Sequence, residues 1–592
     1  MRKHLSALAA LAVVVVIGPA ATAAGGPPQG TQTNDAFVAS YAGSSVSNVF
    51  ATTQRVSCYR PEVDYTGALP VNQGYPDGGT TACPGATTGE DQGQFQDRYE
   101  TQDVSNPSLL VKDHSESDIR VDPKDPMHLI GQSKWVVNAE GYNHLLGFYE
   151  SFDGGDHWSV QGHVPGYEGW TDNTDPVGAF DPYGNFYSLV LGYDFYYDKA
   201  GNHKVNNGSN QVNPTKPPEV VAVAVRPHNA GTDPNAWITT HNGQSDYVMT
   251  AKNANTSDPD KQWIAIDDNA TKPDGSANPC YGTVYAMYTV FVLNPSVVFV
   301  STAKANADGT HSDWSSPQEL PTVNGKRWDS YLLPHIAPDG TVYTPVTNGP
   351  PQQGFSNADV TLVSSSNCGR TWTAPQPIVS GINVPTYQNT TFREGIVDTF
   401  AVGSHLVPNT KYYPLYLAYE DGSSGVSNVW LTASYDGGQS WRPPILVNDN
   451  ASPVDELQPN LTVDAASGKV AVAFYDRRLA CPPPTPANGL AFDPNVTPGA
   501  QNYCVNTAVQ FYTAQLAPIG QNIRLSADTW DPQLNAPHPG CICSAGTFIG
   551  DYFGIDSNGS DLFTTSVSTY NAGDNPSNYQ QQVVARVPIP SP

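Results

Sequence analysis

The feature of this chain that most restricts its fold is a phrase that recurs seven times along the sequence. Each copy holds a short strand pattern, a tight turn containing Asp or Gly, and a second strand rich in Val, Tyr and Phe. The copies begin near residues 118, 176, 263, 334, 398, 459 and 551, and most precede a third apolar strand such as E-V-V-A-V-A-V. A repeat of roughly 60 to 75 residues with three or four strands has the size of a propeller blade.

The repeat predicts an all-β protein, a β-propeller of six or seven four-stranded blades, with seven preferred. A six-bladed propeller is the alternative, in which the first and last units together form one blade. A β-sandwich or a string of immunoglobulin-like domains would also place strands at short spacing, but their repeats would not share one turn phrase. The composition agrees, because 52 Gly, 52 Pro and 31 Tyr with only 14% charged residues favour turns and aromatic strands over long helices.

The N-terminus predicts a secreted protein. Two basic residues precede an apolar run from Leu5 to Ile17 and small residues that end at Ala23, which is the pattern of a signal peptide. The residues that follow are polar and weakly periodic, as in an irregular extension without its own core. We therefore divide the chain into a signal peptide (1–23), an irregular N-terminal extension (24–110) and the propeller (111–592).

Charge and cysteine content restrict the partners and the compartment. The net charge of −27 repels phosphate backbones and anionic lipid surfaces, so we expect neither nucleic acid nor membrane as a partner, and we expect a monomer. Eight cysteines in an exported chain favour disulfides, for which Cys481–Cys504 and Cys58–Cys83 are the local pairings. For Cys541-Ile-Cys543 a metal site is the alternative, but no second Cys or His pair stands at zinc-like spacing.

A second motif recurs three times, with the pattern S-x-D-x-G-x-x-W at residues 151–158 and 434–441 and with Asn for Asp at 365–372. A degraded fourth form ends at Trp314. Asp before Gly favours a tight turn in which the side-chain oxygen accepts backbone N–H groups and Gly adopts positive φ, and the Trp can then close the hairpin. A calcium loop is the weaker interpretation, because the carboxylates lack the alternating spacing of an EF-hand.

These phrases resemble the Asp-box, or bacterial neuraminidase repeat, of the sialidase superfamily, over about residues 113 to 590. The resemblance implies a propeller in which the boxes lie on rim hairpins, away from the catalytic centre. It also implies a secreted, exo-α-sialidase-like protein that acts on an extracellular glycan or glycoconjugate. We expect no cofactor, with a structural calcium ion left open.

The resemblance also implies three arginines that hold a substrate carboxylate, a Tyr nucleophile activated by a Glu, and an Asp acid/base. The first of these arginines belongs to an R-I-P phrase at the start of an innermost strand. The corresponding phrases here begin at Thr174, Leu332 and Leu457, and none of them carries Arg. The arginine triad is therefore not recognisable, and we interpret Arg477-Arg478 as the start of a surface loop.

The copies do share acids near the start of their innermost strands, which a propeller brings to one end of its channel. Convergent carboxylates are what glycoside hydrolysis needs. The candidate catalytic residues are Glu116, Asp118, Asp175, Glu394, Asp551 and Tyr552, and the candidate substrate-binding residues are Arg120, Arg393 and Trp170. A structural role is equally open for both features. The acids could cap turns or bind a structural cation, and the phrase around Trp170 could be a packed connector between blades.

The sequence thus favours a secreted sialidase-like glycoside hydrolase that uses an acidic pocket at the mouth of the propeller channel. The alternative is a noncatalytic propeller that binds a glycan or a protein with the same face. A polysaccharide lyase is a third hypothesis, but it requires cations for uronate binding, and the chain has only 28 Lys and Arg.

Overall fold

The computed structural model describes most of the chain beyond residue 112 and one short segment before it. The described residues are 44–49, 113–136, 144–165, 172–193, 196–197, 203–204, 211–212, 219–251, 259–291, 296–323, 328–330, 332–349, 357–390, 392, 398–481, 502–532, 548–569 and 580–591. Within these ranges every regular element is a β-strand.

Seven antiparallel sheets, here called blades 1 to 7, follow one another along the chain. In blades 1 to 6 the chain runs from the innermost strand outward. Blade 1 contains Asp113–Asp122, Asp125–Val136, His144–Ser151 and Val160–His163, and blade 2 contains Asp172–Phe180, Phe186–Tyr193, Glu219–Arg226 and Tyr247–Thr250. Blade 3 contains Pro259–Ile266, Thr283–Val290, Val297–Lys304 and Gln318–Glu319.

Blade 4 begins with two short segments in place of one innermost strand. It contains Trp328–Ser330, His335–Ile336, Val342–Gly349, Ala358–Ser365 and Gln376–Ile382. Blade 5 contains Asp398–Val402, Leu415–Asp421, Asn428–Ser434 and Ile445–Leu446, and blade 6 contains Glu456–Val463, Val470–Asp476, Asn506–Tyr512 and Pro518–Arg524. Blade 7 contains Gly554–Ser557, Asp561–Ser568 and Gln581–Pro588, completed by Ser45–Asn48.

Five shorter strands interrupt blade 2. They form a three-stranded sheet of Tyr196–Tyr197, His203–Lys204 and Gln211–Val212, and a hairpin of Thr240–His241 and Gln244–Ser245.

The blades close into a ring. The innermost strand of each blade contacts the innermost strands of both neighbouring blades, and that of blade 7 contacts that of blade 1. The protein is therefore an all-β, seven-bladed β-propeller. The preferred blade number is confirmed, and the six-blade alternative is wrong.

A strand from the N-terminal region completes blade 7. Ser45–Asn48 pairs antiparallel with Gln581–Pro588, and the next residue, Val49, is buried against the core of blade 1. The Gln161 side chain of blade 1 donates a hydrogen bond to the carbonyl of Val49. Most of 24–110 lies outside the described residues, so the boundary at residue 110 stays a prediction.

The position of each strand in its blade explains its sequence. The second strands, such as Val470–Asp476 and Thr283–Val290, are buried along their whole length because they pack against neighbouring blades on both faces. The outermost strands, such as Gln376–Ile382, are exposed at most positions and carry polar residues. The hydrophobic core consists of apolar layers between adjacent blades, so closing the ring is what buries it.

Two disulfides connect described cysteines. Cys481–Cys504 confirms the local pairing expected from the sequence. Cys280–Cys368, which the sequence did not indicate, joins the first hairpin of blade 3 to the turn after the third strand of blade 4. The expected pair Cys58–Cys83 and the Cys541-Ile-Cys543 phrase lie outside the described residues. No described segment forms an apolar helix long enough to cross a membrane.

The three S-x-[DN]-x-G-x-x-W phrases form identical turns, here called the box turns, after the third strands of blades 1, 4 and 5. In each turn the Ser hydroxyl donates to the Asp or Asn side chain over 2.8–2.9 Å and accepts the N–H of the Gly over 2.9–3.0 Å. The Asp or Asn oxygen also accepts the N–H of the residue before the Trp. The three Trp side chains pack onto the core layers between blades.

Candidate active site

The innermost strands of four blades share a β-bulge near their N-terminal ends. In blades 1, 2, 3 and 6 the pairing with the second strand shifts by one residue, between Ser115 and Ser117 in blade 1 and at the matching place in the others. An extra residue in one strand bends the backbone and redirects a side chain. The repeat therefore aims one side chain per bulged blade differently from the rest of its strand.

The residues at these bulges have positive φ although none is glycine. They are Glu116 (44°), Asp175 (53°), Lys261 (51°) and Gln458 (47°). Left-handed backbone is disfavoured for long side chains and is found preferentially at functional sites. Four blades thus present a carboxyl, a second carboxyl, an ammonium and an amide at one end of the ring.

The bulge residues of blades 1, 2 and 3 meet each other and a residue of blade 7. Lys261 Nζ lies 3.0 Å from Asp551 Oδ2 and 3.5 Å from Asp175 Oδ2. Glu116 Oε2 lies 3.4 Å from Nζ of Lys134, on the second strand of blade 1. These five side chains, three acids and two lysines from four blades, form the channel cluster.

A threonine joins the two carboxyls of this cluster. Thr174 Oγ1 lies 3.2 Å from Glu116 Oε2 and is also hydrogen-bonded to Oδ1 of its neighbour Asp175. Glu116 is 1% exposed and Asp175 is 6% exposed, so both are nearly removed from water. On the other side of Glu116, Gly550 of blade 7 approaches so closely that a Cβ would lie 2.6 Å from the Glu116 nitrogen. Only glycine fits there.

The surroundings of Glu116 and Asp175 shift the pKa values of these two carboxyls in opposite directions. Burial raises the pKa of Glu116 well above its ordinary value, and the charge of Asp175 adds to this rise against the opposing effect of Lys134. Burial acts to raise the pKa of Asp175 too, but Lys261, a hydrogen bond with Glu116 and Lys134 outweigh it and hold that pKa below its ordinary value. These opposite shifts of the pKa values favour a proton on Glu116 and a negative charge on Asp175.

Tyr552 lies beside the cluster. Its hydroxyl donates to the carbonyl of Pro176 over 3.2 Å, and its ring packs edge-on against Trp263. Burial raises the pKa of the phenol well above its ordinary value, and the charges of Asp175, Glu116, Asp118 and Asp551 add to this. The phenol is protonated unless a neighbouring base removes its proton.

Asp118 and Arg120 lie further along the innermost strand of blade 1 and pair with each other at 2.8 Å. Together they hold Gly178 of blade 2, because Asp118 accepts its N–H and Arg120 donates to its carbonyl. Burial raises the pKa of Asp118 to about 6, with Arg120 and the Gly178 N–H opposing. The structure thus places these two candidates at a contact between blades rather than in the channel cluster.

Of the sequence-predicted site residues, the structure brings together Glu116, Asp175, Asp551 and Tyr552. Glu394, Arg393 and Trp170 lie outside the described residues. Three contributors were missed, namely Lys134, Thr174 and Lys261. Lys261 did leave a signal, because it stands three residues before Ile264 as Glu116 stands three before Ile119, but the part of blade 3 that matches the repeat begins only at Trp263.

Arginines in the described ranges make their ion pairs outside the channel cluster. Arg226 pairs with Glu150 at 2.6 Å, and Arg477 with Asp455 at 3.1 Å. Arg478 pairs with Asp449. The interpretation of Arg477-Arg478 as a surface loop is wrong, because both residues are buried beside acids of blade 6. The cations that the described residues supply to the cluster are lysines.

Metal-ligating side chains are dispersed in the described part of the chain. There, no three His, Cys, Asp or Glu side chains stand close enough to hold one ion. In the box turn of blade 4, Asn367 makes the same hydrogen bonds as the aspartates of the other two, so that turn needs no anionic oxygen. A structural calcium ion stays an untested expectation.

Comparison with known proteins finds similarity in fold only. No family model matches the sequence, and no curated protein matches it either. Among solved structures, the Hadza microbial sialidase Hz136 is 12% identical with a TM-score of 0.36, over 80% of this chain and 65% of that one. The intramolecular trans-sialidase of Ruminococcus gnavus is 10% identical with a TM-score of 0.37, over 81% of this chain and 96% of that one.

The similar structures also include proteins with other activities. The polysaccharide lyase Uly1 is 11% identical with a TM-score of 0.41, over 81% of this chain and 90% of that one. Identities and TM-scores this low give no basis for transferring an activity. The function therefore has to be argued from the channel cluster.

Proposed function

We propose that this chain is a secreted, sialidase-like glycoside hydrolase that acts on an extracellular glycan at the channel cluster. The observation that carries the proposal is the pair Glu116 and Asp175, which adjacent blades supply and whose proton affinities their surroundings drive apart. Glycoside hydrolysis needs one carboxylic acid of the enzyme to protonate the leaving oxygen and a second, ionised carboxylate of the enzyme to act at the anomeric carbon. A buried Glu with a raised pKa beside an ionised Asp meets that requirement.

The roles follow from the protonation states. Glu116 donates its proton to the glycosidic oxygen as the bond from that oxygen to the anomeric carbon breaks, and the Asp175 carboxylate stabilises the positive charge that develops on the sugar. A water molecule then adds to the anomeric carbon and returns a proton to the carboxyl pair. In the finer, exo-α-sialidase-like form of the proposal, Tyr552 attacks the anomeric carbon while Asp175 accepts its proton, and water then hydrolyses the glycosyl-tyrosine. The Glu and the Asp exchange the roles that the resemblance implies for them. Lys134 and Lys261 are the cations available to an acidic substituent of the sugar. The matching box turns support the superfamily assignment, and the two disulfides agree with secretion.

The test is hydrolysis of a broad panel of glycans and aryl glycosides by the purified full chain. We expect release of sugar by the wild type and a loss of roughly 10²–10⁴-fold in the E116Q variant, which cannot supply the proton. E319Q is the matched control, because Glu319 is an exposed carboxyl on the outermost strand of blade 3, and we expect it to keep the wild-type rate.

One observation favours the noncatalytic alternative. The acids of the channel cluster are already paired with lysines, as in a structural network, and such networks also shift pKa values. If the wild type releases no sugar but binds glycans, and E116Q or D175N weakens that binding while E319Q does not, the protein is a binding propeller. Absence of both hydrolysis and binding would overturn the glycan proposal.

A further inference from the structure

The Thr174 hydroxyl makes two contacts for which it has only one proton. Its Oγ1 lies 3.2 Å from Glu116 Oε2 and is hydrogen-bonded to Asp175 Oδ1. A hydroxyl donates one hydrogen bond, and an ionised carboxylate can only accept. If both carboxyls were ionised, one contact would place lone pair against lone pair. Both contacts are hydrogen bonds only when one carboxyl carries a proton.

Burial and the surrounding charges together decide which of the two carboxyls carries the proton. Asp175 faces the ammonium of Lys261 at 3.5 Å from blade 3, whereas Glu116 faces Lys134 at 3.4 Å from the second strand of its own blade. Blade 7 adds Asp551 and Tyr552, and Asp551 also disfavours a negative charge on Glu116. Glu116 is the more deeply buried of the pair. Ionisation is therefore easier at Asp175.

We propose that Thr174 is a positioning residue that keeps the proton on Glu116, by donating its own hydrogen bond to Asp175 and accepting one from the Glu116 carboxyl. The Glu116 proton then faces both the Thr174 oxygen and the Asp175 carboxylate, with which Glu116 is also hydrogen-bonded. The hydroxyl thereby stabilises the ionised form of one carboxyl and the protonated form of the other. Only the catalytic consequence, a proton kept ready for the leaving oxygen, rests on the proposed function. The protonation pattern itself is a property of the unliganded protein.

The test is a pH titration of the protonated-carboxyl C=O stretch by infrared difference spectroscopy on the full chain, without substrate. E116Q identifies the Glu116 band, and D175N that of Asp175. We expect T174V to lower the Glu116 midpoint and to raise that of Asp175, each by about one pH unit, because a hydrogen bond to a charged group is worth about that much. T174S keeps the hydroxyl and should restore both midpoints.

The inference is overturned if the T174V midpoints coincide with those of the wild type, or if T174S behaves like T174V. Should T174V fail to fold, T174A gives the same measurement, since it removes the hydroxyl without placing a methyl group against the carboxyls. A shifted titration in a protein that hydrolyses no glycan would support the inference and reject the proposed function. Hydrolysis that depends on Glu116, with unshifted midpoints, would reject the inference alone.

Discussion

The box turns and the channel cluster, to both of which blade 1 contributes, hold acidic side chains in opposite ways. In the box turns, Asp153 and Asp436 are partly exposed, and their side-chain oxygens accept backbone N–H groups of their own turn. In the channel cluster, Glu116 and Asp175 are nearly buried, stand in contact with each other and depend on lysines from two strands. In the first arrangement the carboxylate finds its hydrogen-bond donors within one turn. The second is assembled from four blades, and the single hydroxyl proton of Thr174 cannot be donated to two ionised carboxylates.

The box turns therefore contribute to stability, whereas the channel cluster holds the groups that can react. A turn whose polar atoms are satisfied locally ties the chain and leaves no group ready to react. A buried carboxyl pair with divergent proton affinities costs stability and holds a proton that a substrate can take. The comparison therefore predicts that changes in the cluster act on activity and changes in the turns act on folding.

The largest expected effect is on hydrolysis. We expect D175N to lower kcat/KM by about 10³-fold, because it removes the carboxylate that faces the positive charge on the sugar. D153N, the same substitution in a box turn, should leave kcat/KM unchanged. Equal losses in both variants, measured on a substrate that the wild type hydrolyses, would end the distinction between the two regions.

The next effect concerns the buried ion-pair network around His128, in which each charged group is paired within the protein, as in the box turns. His128 bonds Asp122 at 3.1 Å and Glu150 at 2.9 Å, and Glu150 also pairs with Arg226. We expect H128Q to lower the free energy of unfolding by about 3 kcal/mol, measured by urea denaturation, because it breaks a buried ion pair. Activity should not change.

The pH dependence of this effect is distinctive. Burial lowers the pKa of His128, but hydrogen bonds to both carboxylates outweigh burial and raise it from 6.5 to about 9. The stabilisation is therefore complete below pH 6.5 and lost as pH rises through about 9. H128Q and wild type should converge in stability above that pH, and a constant difference would show that the loss is one of packing.

A smaller effect is expected in the box turns. D436A should lower the free energy of unfolding by about 1 kcal/mol, since the Ser434 hydroxyl and the Ser440 N–H lose their shared acceptor. D436N should match the wild type, because Asn367 makes the same two hydrogen bonds in blade 4. A destabilised D436N would mean that the turn needs the charge, which would favour a bound cation.

The effect of opposite sign is a gain in stability from the channel cluster. Because the pKa of Glu116 is raised on folding, its favourable contribution is present below its ordinary pKa of 4.5 and is lost as pH rises through the raised value. E116Q cannot ionise, so it should be more stable than wild type at alkaline pH and no more stable at pH 4. Thermal unfolding across this pH range measures the difference, and parallel curves would contradict the ionisation argument.

The sequence predicted most of the fold because the repeat is local. Each turn phrase, with Asp or Gly at fixed positions between apolar strands, is specified by residues close in the chain, and seven copies indicated seven blades. The pairing of Ser45–Asn48 with Gln581–Pro588 could not be predicted, because a four-residue polar strand carries no signal for a partner over 500 residues away. The disulfide Cys280–Cys368 was missed for the same reason.

The candidate site divides in the same way. Glu116, Asp175, Asp551 and Tyr552 could be selected as polar residues at matching strand starts. Asp118 and Glu116 looked equivalent in the sequence, yet one pairs with Arg120 and the other lies in the channel cluster. The one-residue bulges decide this, and a bulge depends on strand pairing, which a single strand does not show.

By itself the sequence determined the repeat, the turn chemistry and the types of residue available near the axis, because these depend on propensity and spacing within one blade. Only the tertiary structure decided that Lys261 stands between Asp551 and Asp175 and that Thr174 joins two carboxyls. The physical reason is that burial and Coulomb interactions act through space. The proton affinity of Glu116 depends on Asp175 of blade 2 and Asp551 of blade 7 as well as on Lys134 of its own blade, and these blades meet only when the ring closes.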